Sequence, residues 1–479
     1  MRNSGEQSNS TTPPENVKIL RFWQMLFLGK GNFLRQLIHA FITIALRLFF
    51  RRIEAGGIEK VPTDGAVIFV LNHPNGLIDP ALVFVSLSRR VSFLAKSTLF
   101  PIAAARFLLE TMEVLPVYRQ IDAGADMSKN KQTFEVCHGL LAQNRCIAIF
   151  PEGISHDETK LQPMKTGAAR IALGALAVGE DLRKKGLRIM AVGLYYTSKT
   201  AFRSEALIRY GELIDVEPVE LDENGEPPRR EVLQLTRKIE TALRNVTLNL
   251  ETAEELDAIV KAEALFSSVY ENLLFKQNLT ETFQRLQNLA EKYKLLGKNE
   301  PEKMRLLNEK VLRYENELRT SGLSVESLSV LQHPTAYVFR YLILRIILIL
   351  LLAPLSIVGA VIHSPAYLFS NFIGLMFKTH GDDAAGSTYK ILAACAFMPL
   401  TWLIAAGIIF YFFGWQIALL SIPATILCGY VALRSSETLI DMRVWLKSAW
   451  LLFRERALFL RLLVERETLQ KEIGELIEK

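Results

Sequence analysis

The sequence predicts an α/β domain, then a helical module, then C-terminal transmembrane helices. Three observations predict that order. Short β-rich runs alternate with helical stretches from about Gly57 to Val216. Charged amphipathic helical patterns run from about Arg229 to Gln332, and the longest apolar stretches follow Tyr341. The chain has 479 residues, half of them hydrophobic and 22 % charged, with a mean hydropathy of +0.19. That balance is too apolar for disorder and unusual for a purely soluble enzyme, so the apolar excess must be localised.

The first sixteen residues are polar and lack the layout of a secretory signal, so a flexible tail is expected over 1–16. Residues 17–56 follow as a basic segment. From Lys18 to Lys60 there are eight basic residues against Glu54 and Glu59, and Phe33 to Phe50 is mostly apolar. This reads as an amphipathic helical segment lying on an anionic membrane surface. The α/β domain is placed at 57–228. Its strand candidates are AVIFVLNH, VSFLAK, MEVLPVYR, CIAIFPEG, IMAVGLYY and ALIRYGELI, and its helix candidates include Ser128 to Gln143 and Thr166 to Val178.

The helical module is placed at 229–335, without sustained heptads or repeats. A membrane anchor at 336–433 accounts for the apolar excess. Tyr341 to Ile362 carries one charge, Arg345, and is long enough to cross a hydrocarbon core of roughly 30 Å. Ile391 to Leu433 is uncharged and too long for one crossing, and Gly414-Trp415 offers the turn of a hairpin, giving spans near 341–362, 391–413 and 416–433. Arg340 and Arg345 before the first span and Arg434, Arg443 and Lys447 after the last place both ends in the cytoplasm. Three full crossings cannot satisfy this, so one apolar segment is re-entrant or interfacial, or a further segment inserts. The tail at 434–479 is expected to be an amphipathic charged helical segment, and the mixed-charge run ERETLQKEIGELIEK that ends it reads most simply as a solvated helix.

The net charge of +6 calls for an anionic partner, and no recognised nucleic-acid module accompanies it. Cys137, Cys146, Cys395 and Cys428 show no CxxC spacing, which argues against a disulfide framework or zinc ribbon and for reducing surroundings.

Polar groups gather at the predicted strand ends. The first cluster runs from Asn72 through His73, Pro74, Asn75 and Gly76 to Asp79. Six positions on a continuous helix would put His73 and Asp79 about 120° apart, so they meet only if His73 stands on the strand-to-helix turn. There Asp79 can fix the tautomer while the other ring nitrogen accepts a proton from a substrate hydroxyl. For an isolated match, a turn with a helix-capping Asn75 and a solvated His is the commoner explanation. The second cluster is Phe150 to Asp157, where Glu152 beside Gly153 can accept a hydroxyl hydrogen bond, and Lys165 at a helix start could meet a phosphate. An exposed polar loop explains it equally well. Arg119 ends another strand and suits bidentate phosphate contact, although a surface salt bridge is the default for one Arg. Val192 to Tyr196 says little beyond a strand with aromatic cover.

Taken in order, these blocks resemble the motifs of the glycerophospholipid acyltransferase family, the enzymes that acylate glycerol 3-phosphate and 1-acylglycerol 3-phosphate. Five residues between His73 and Asp79, FPEGISHD, YYTSKTAFRSEALIRYGELI and VLRYENELRTSGL resemble the branch of fungal glycerol-3-phosphate/dihydroxyacetone-phosphate acyltransferases. The resemblance covers most of the chain from about Gly65. It implies an acyltransferase-type mixed sheet flanked by helices, with His73 as catalytic base and Asp79 as its orienting carboxylate. It further implies acceptor and phosphate contacts from Asn75, Lys96, Arg119, Glu152, Gly153 and Lys165. Ser155 stands where the family usually has arginine, so completion of the phosphate site is open, as is the role of His156.

The implied partners are an acyl thioester donor, acyl-CoA or acyl-carrier protein, a phosphorylated glycerol acceptor and the lipid bilayer. No nucleic acid, metal or other cofactor is expected. An integral membrane protein with its catalytic domain facing the cytoplasm would make phosphatidic acid precursors. Acceptor alternatives are glycerol 3-phosphate, dihydroxyacetone phosphate and 1-acylglycerol 3-phosphate. Other readings are a metal-dependent phosphoesterase built on His73, Asp79, His156 and Asp157, and a membrane scaffold with an inactive acyltransferase domain.

Overall fold

The structure, a computed structural model, describes residues 17–19, 25–122, 124, 126–266, 278–323, 335–377 and 383–478. The tail expected over 1–16 lies outside the described residues. Eight strands form the sheet: β1 (Val17–Ile19), β2 (Arg52–Gly56), β3 (Ala66–Leu71), β4 (Val91–Lys96), β5 (Leu115–Val117), β6 (Cys146–Ile149), β7 (Leu187–Tyr196) and β8 (Glu205–Val216). Their spatial order is β1-β2-β8-β7-β3-β6-β4-β5. The stretch β7-β3-β6-β4-β5 is parallel, β8 runs antiparallel to β7, and β2 pairs parallel with β8. The mixed sheet expected from sequence is present.

Every residue of β3 is buried, which explains its unbroken apolar run. Val67, Phe69 and Leu71 face a core closed by α1 (Phe33–Phe49) and α2 (Ile78–Ser86). Ala66, Ile68 and Val70 face a second core. That face is covered by α4 (Asn130–Ala142), α5 (Gly167–Val178) and α7 (Arg229–Val246), while α3 (Ala103–Thr111) and α6 (Glu180–Lys185) complete the periphery. Burying both faces of such a strand stabilises the fold by roughly 1.5–3 kcal/mol per large side chain.

Two expected boundaries shift. Residues 17–56 are not helical throughout: α1 ends at Phe49, and Arg52–Gly56 is a sheet strand whose Ile53 and Ala55 are fully buried. Likewise α7 is not part of a separate module, because Val232, Leu235, Ile239, Leu243 and Val246 pack on the sheet. Its apolar stripe is as regular as those of the later helices, so periodicity alone could not tell what it packs against.

The module proper joins α8 (Ala253–Phe266), α9 (Leu279–Asn299) and α10 (Pro301–Thr320) with the last helix, α14 (Arg456–Glu478). The last helix buries Phe459 and Leu462, and the run after them, expected from sequence to be solvated, buries Leu469 and Ile473; Tyr314 donates to the Leu462 carbonyl at 3.1 Å. Glu54 of β2 docks the module on the sheet by accepting from Leu279 N at 2.8 Å and Thr280 N at 3.3 Å, at the start of α9.

Among the described residues, three helices are long and apolar enough to cross a membrane: Leu342–Met376 within α11 (Thr335–Met376), Gly386–Phe413 within α12 (Asp383–Phe413) and Trp415–Arg443 within α13 (Trp415–Arg454). The expected turn falls at Gly414, between α12 and α13, with φ at +81°. Gly359 of α11 lies so close to the Cys428 carbonyl of α13 that a β-carbon there would collide with it, the close approach that small residues permit between membrane helices.

Candidate active site

The site stands at the carboxyl ends of β3, β6 and β7. Beyond Leu71 the chain leaves the sheet, and Asn72 clamps it: its amide donates to the Leu194 carbonyl at 3.1 Å and accepts from Leu194 N at 2.7 Å. His73 follows in the turn before α2, which is the placement its pairing with Asp79 requires. His73 Nδ1 lies 2.8 Å from Asp79 Oδ2. A carboxylate only accepts, so Nδ1 carries the proton and Nε2 keeps its lone pair.

Asp79 is fully buried, and two more donors converge on it. Asn75 N donates to Oδ2 at 2.7 Å, and the Tyr196 hydroxyl donates to Oδ1 at 2.5 Å. Burial first, then the neighbouring Asp79 charge, holds the Tyr196 phenol well above its usual 10, so it remains a donor. The imidazole stacks on Phe150 at a centroid distance of 4.0 Å and an angle of 22°. The His73 side chain is 19 % exposed, and Nε2 has no protein partner among the described residues. A base with fixed tautomer, fixed plane and an open nitrogen is the result.

Asn75 has a different place from either expected one. It is fully buried, does not cap α2 with its side chain, and donates to the Lys199 carbonyl at 3.3 Å. Glu152 is 2 % exposed, and its carboxylate accepts from His73 N at 3.1 Å, Gln162 N at 2.7 Å and His156 Nε2 at 2.5 Å. Glu152 is thus a hub that ties the loop after β6 to the histidine turn, and His156 N strengthens the tie by donating to the His73 carbonyl at 3.2 Å.

Arg119 lies behind Gly153. Its Nε and Nη2 hold Asp122 at 2.9 and 2.6 Å, while Nη1 donates to the Gly153 carbonyl at 2.8 Å. The Arg119 hydrogen bonds lower the Asp122 carboxyl below its usual range, with a smaller contribution from the charge of Lys96. Gly153 adopts φ +76°, which lets the loop turn back so that Lys165 N reaches the Pro151 carbonyl at 2.7 Å. The Lys165 side chain is exposed and passes beside Gly153, Lys96 is exposed, and Ser155 is half-buried. Lys96, Arg119 and Lys165 therefore border one side of the site, with Arg119 engaged by protein groups.

The residues named for a metal site are engaged in pairs. His73 pairs with Asp79, His156 with Glu152, and Asp157 with Lys199 Nζ at 3.0 Å. No group of three or more His, Cys, Asp or Glu able to hold a metal occurs among the described residues.

Residues 52–194 match the acyltransferase family. Residues 263–479 match the glycerol-3-phosphate acyltransferase 2 C-terminal domain. The chain is 29 % identical over 291 residues to glycerol-3-phosphate O-acyltransferase 2 of Saccharomyces cerevisiae, covering 58 % of this chain and 38 % of that protein. It is 28 % identical over 284 residues to glycerol-3-phosphate O-acyltransferase 1 of the same yeast, covering 57 % and 36 %. An uncharacterized acyltransferase of Schizosaccharomyces pombe is 26 % identical over 365 residues, covering 71 % and 52 %. The chain thus spans between about a third and a half of the length of these relatives.

Proposed function

We propose that this chain is an O-acyltransferase that moves an acyl group from a thioester to glycerol 3-phosphate, in glycerophospholipid synthesis at the cytoplasmic face of a membrane. The observation that carries the proposal is the His73–Asp79 pair, with Nδ1 locked at 2.8 Å and Nε2 open. Nε2 removes the proton of a glycerol hydroxyl as its oxygen attacks the thioester carbonyl, and the tetrahedral oxyanion collapses with departure of the thiolate. No acyl-enzyme is required. Asp79 offsets the positive charge that appears on the ring, and Tyr196 and Asn75 N keep Asp79 in place.

Acceptor phosphate falls to the exposed cations Lys96 and Lys165, with Arg119 supporting the Gly153 turn between them and exchanging Asp122 for phosphate if it takes part directly. Anchoring the phosphate chooses which hydroxyl meets Nε2. The names of the yeast relatives and of the matched C-terminal domain favour glycerol 3-phosphate as acceptor; dihydroxyacetone phosphate as a second acceptor and acyl-CoA or acyl-carrier protein as donor are part of the same proposal and rest on the sequence resemblance alone.

The test offers purified full chain glycerol 3-phosphate, dihydroxyacetone phosphate and 1-acylglycerol 3-phosphate with both donors. Transfer to glycerol 3-phosphate is expected, falling at least about 100-fold in His73→Ala. Transfer to none of them, or undiminished transfer by His73→Ala, refutes the proposal, while exclusive use of 1-acylglycerol 3-phosphate moves the chain one acylation later.

A further inference from the structure

A second cleft, of about 610 Å³, opens where α1 and β2 meet the membrane helices. Arg47, Arg51, Arg52, Arg345 and Arg434 line it together with two carboxylates, Glu437 and Asp441. Both acids are already engaged. Asp441 accepts from Arg51 at 3.2 Å, and Glu437 is shared between Arg434 at 2.9 Å and Arg203 at 2.5 Å. Arg52 turns toward Glu54 and Glu205 at 3.0 and 2.7 Å.

Arg47 has no such outlet: its Nε and Nη2 are buried without a hydrogen-bond partner among the described residues. Burial lowers this guanidinium from its usual range to about 10, the mark of a cation that has lost water without gaining an anion. The remaining wall is apolar. Leu348, Ile349 and Leu352 come from the membrane-crossing part of α11, one turn beyond Arg345.

We infer that this cleft binds a membrane lipid with a phosphate-monoester head group, the head among the arginines and an acyl chain along the α11 wall. A monoester carries up to two negative charges and presents oxygens that match the guanidinium fork, whereas a diester carries one. A soluble phosphate would leave the apolar wall unused. The cleft shares the sheet edge that carries His73, three strands away, or about 14 Å. Phe50, next to Arg51, stacks on Tyr196 at 5.7 Å, so the lipid site and the support of Asp79 are in contact through one ring. A phosphomonoester lipid is also the product class of the proposed reaction, but the inference is tested by binding alone.

Full chain in detergent is exposed to dioleoyl phosphatidic acid or dioleoyl phosphatidylglycerol, and retained lipid is counted by native mass spectrometry. Phosphatidic acid is expected to bind about tenfold more tightly than the diester, with about the same loss in Arg47→Gln. Ile349→Trp, which fills the apolar wall, is expected to lose the lipid as well, and it carries the test if Arg47→Gln fails to fold. Excess inorganic phosphate should leave the bound lipid in place. Equal retention of the two lipids, unchanged binding in the folded variants, or displacement by inorganic phosphate overturns the inference. His73→Ala is expected to bind as wild type, so a wild-type chain that binds lipid yet transfers no acyl group refutes only the proposed reaction.

Discussion

Tyr196 gives the candidate base a support that its own stretch of sequence does not announce. Its hydroxyl reaches Asp79 from β7, 117 residues further along the chain. Tyr196→Phe should reduce kcat about tenfold with little change in KM, and lower unfolding stability by about 1–2 kcal/mol, because a buried carboxylate oxygen loses its donor. An unchanged kcat would show that Asp79 is held well enough by Asn75 N alone. His73 and Asp79 were legible because a turn, a base and a carboxylate fall within seven residues. Glu152 was legible as a site residue, yet its direction was not: hydroxyl ligand and loop hub look alike until His156, Gln162 and His73 are seen around it.

His39 offers a separate test by pH. It is 2 % exposed, beside Phe84 and Arg35, and burial, with a smaller push from Arg35, lowers its imidazole from 6.5 to about 4. Between those values the unfolded chain binds the proton that the folded chain refuses, so stability is full above about 6.5 and falls toward pH 4. The loss amounts to about 3 kcal/mol at the lower end. His39→Leu should remove that component, so that unfolding midpoints of variant and wild type diverge as pH drops. Parallel curves would count against it.

Among the elements, α1 shows most directly how a sequence pattern becomes a surface. Arg35, His39, Thr43, Leu46 and Phe49 are buried, whereas Phe33, Leu37, Phe41, Ile44 and Leu48 form an exposed stripe on another face. An exposed apolar stripe on a basic helix beside three helices long and apolar enough to enter a membrane is suited to the bilayer interface. Phe41→Trp in protein reconstituted with brominated lipids should show strong fluorescence quenching relative to the parent chain. Equal quenching of both would remove α1 from the interface. The interfacial reading of this segment came from its charge and aromatics, but β2 did not, since RIEAG has neither length nor alternation to mark a strand. It exists because β8 offers it an edge, a partner 153 positions away at Arg52 and Glu205. The burial of α14 was hidden for the same reason: mixed charge describes its outer face, and its inner face needs α8, α9 and α10 to become visible.

The whole molecule resolves a conflict of parity. Both α12 and α13 meet the catalytic domain at one end, through Ser387 with the Lys199 carbonyl at 2.9 Å and through Glu437 and Asp441 with Arg203 and Arg51. Gly414 between them is their far turn. Helix α11 meets the same side twice, with Arg345 at the arginine cleft and Tyr367 against Phe202 at 5.9 Å, and it contains Pro354 and Pro365. This arrangement predicts two net crossings, with both ends of α11 on the side of the α/β domain. In a chain freed of its four cysteines, Arg340→Cys and Phe377→Cys should react with an impermeant maleimide from the same side of sealed vesicles, and Phe413→Cys from the other. Labelling of the first two from opposite sides would mean that α11 completes a crossing.

The Lys199 carbonyl accepts from two directions, from Asn75 of the histidine turn and from Ser387 at the beginning of α12, while Leu77 N donates to Thr388 Oγ1 at 3.3 Å. One wall of the reaction chamber is therefore a piece of the anchor. Trimming the chain ahead of α12 to obtain a soluble enzyme would remove a brace from the turn that carries His73, so ease of handling and turnover pull in opposite directions in this architecture.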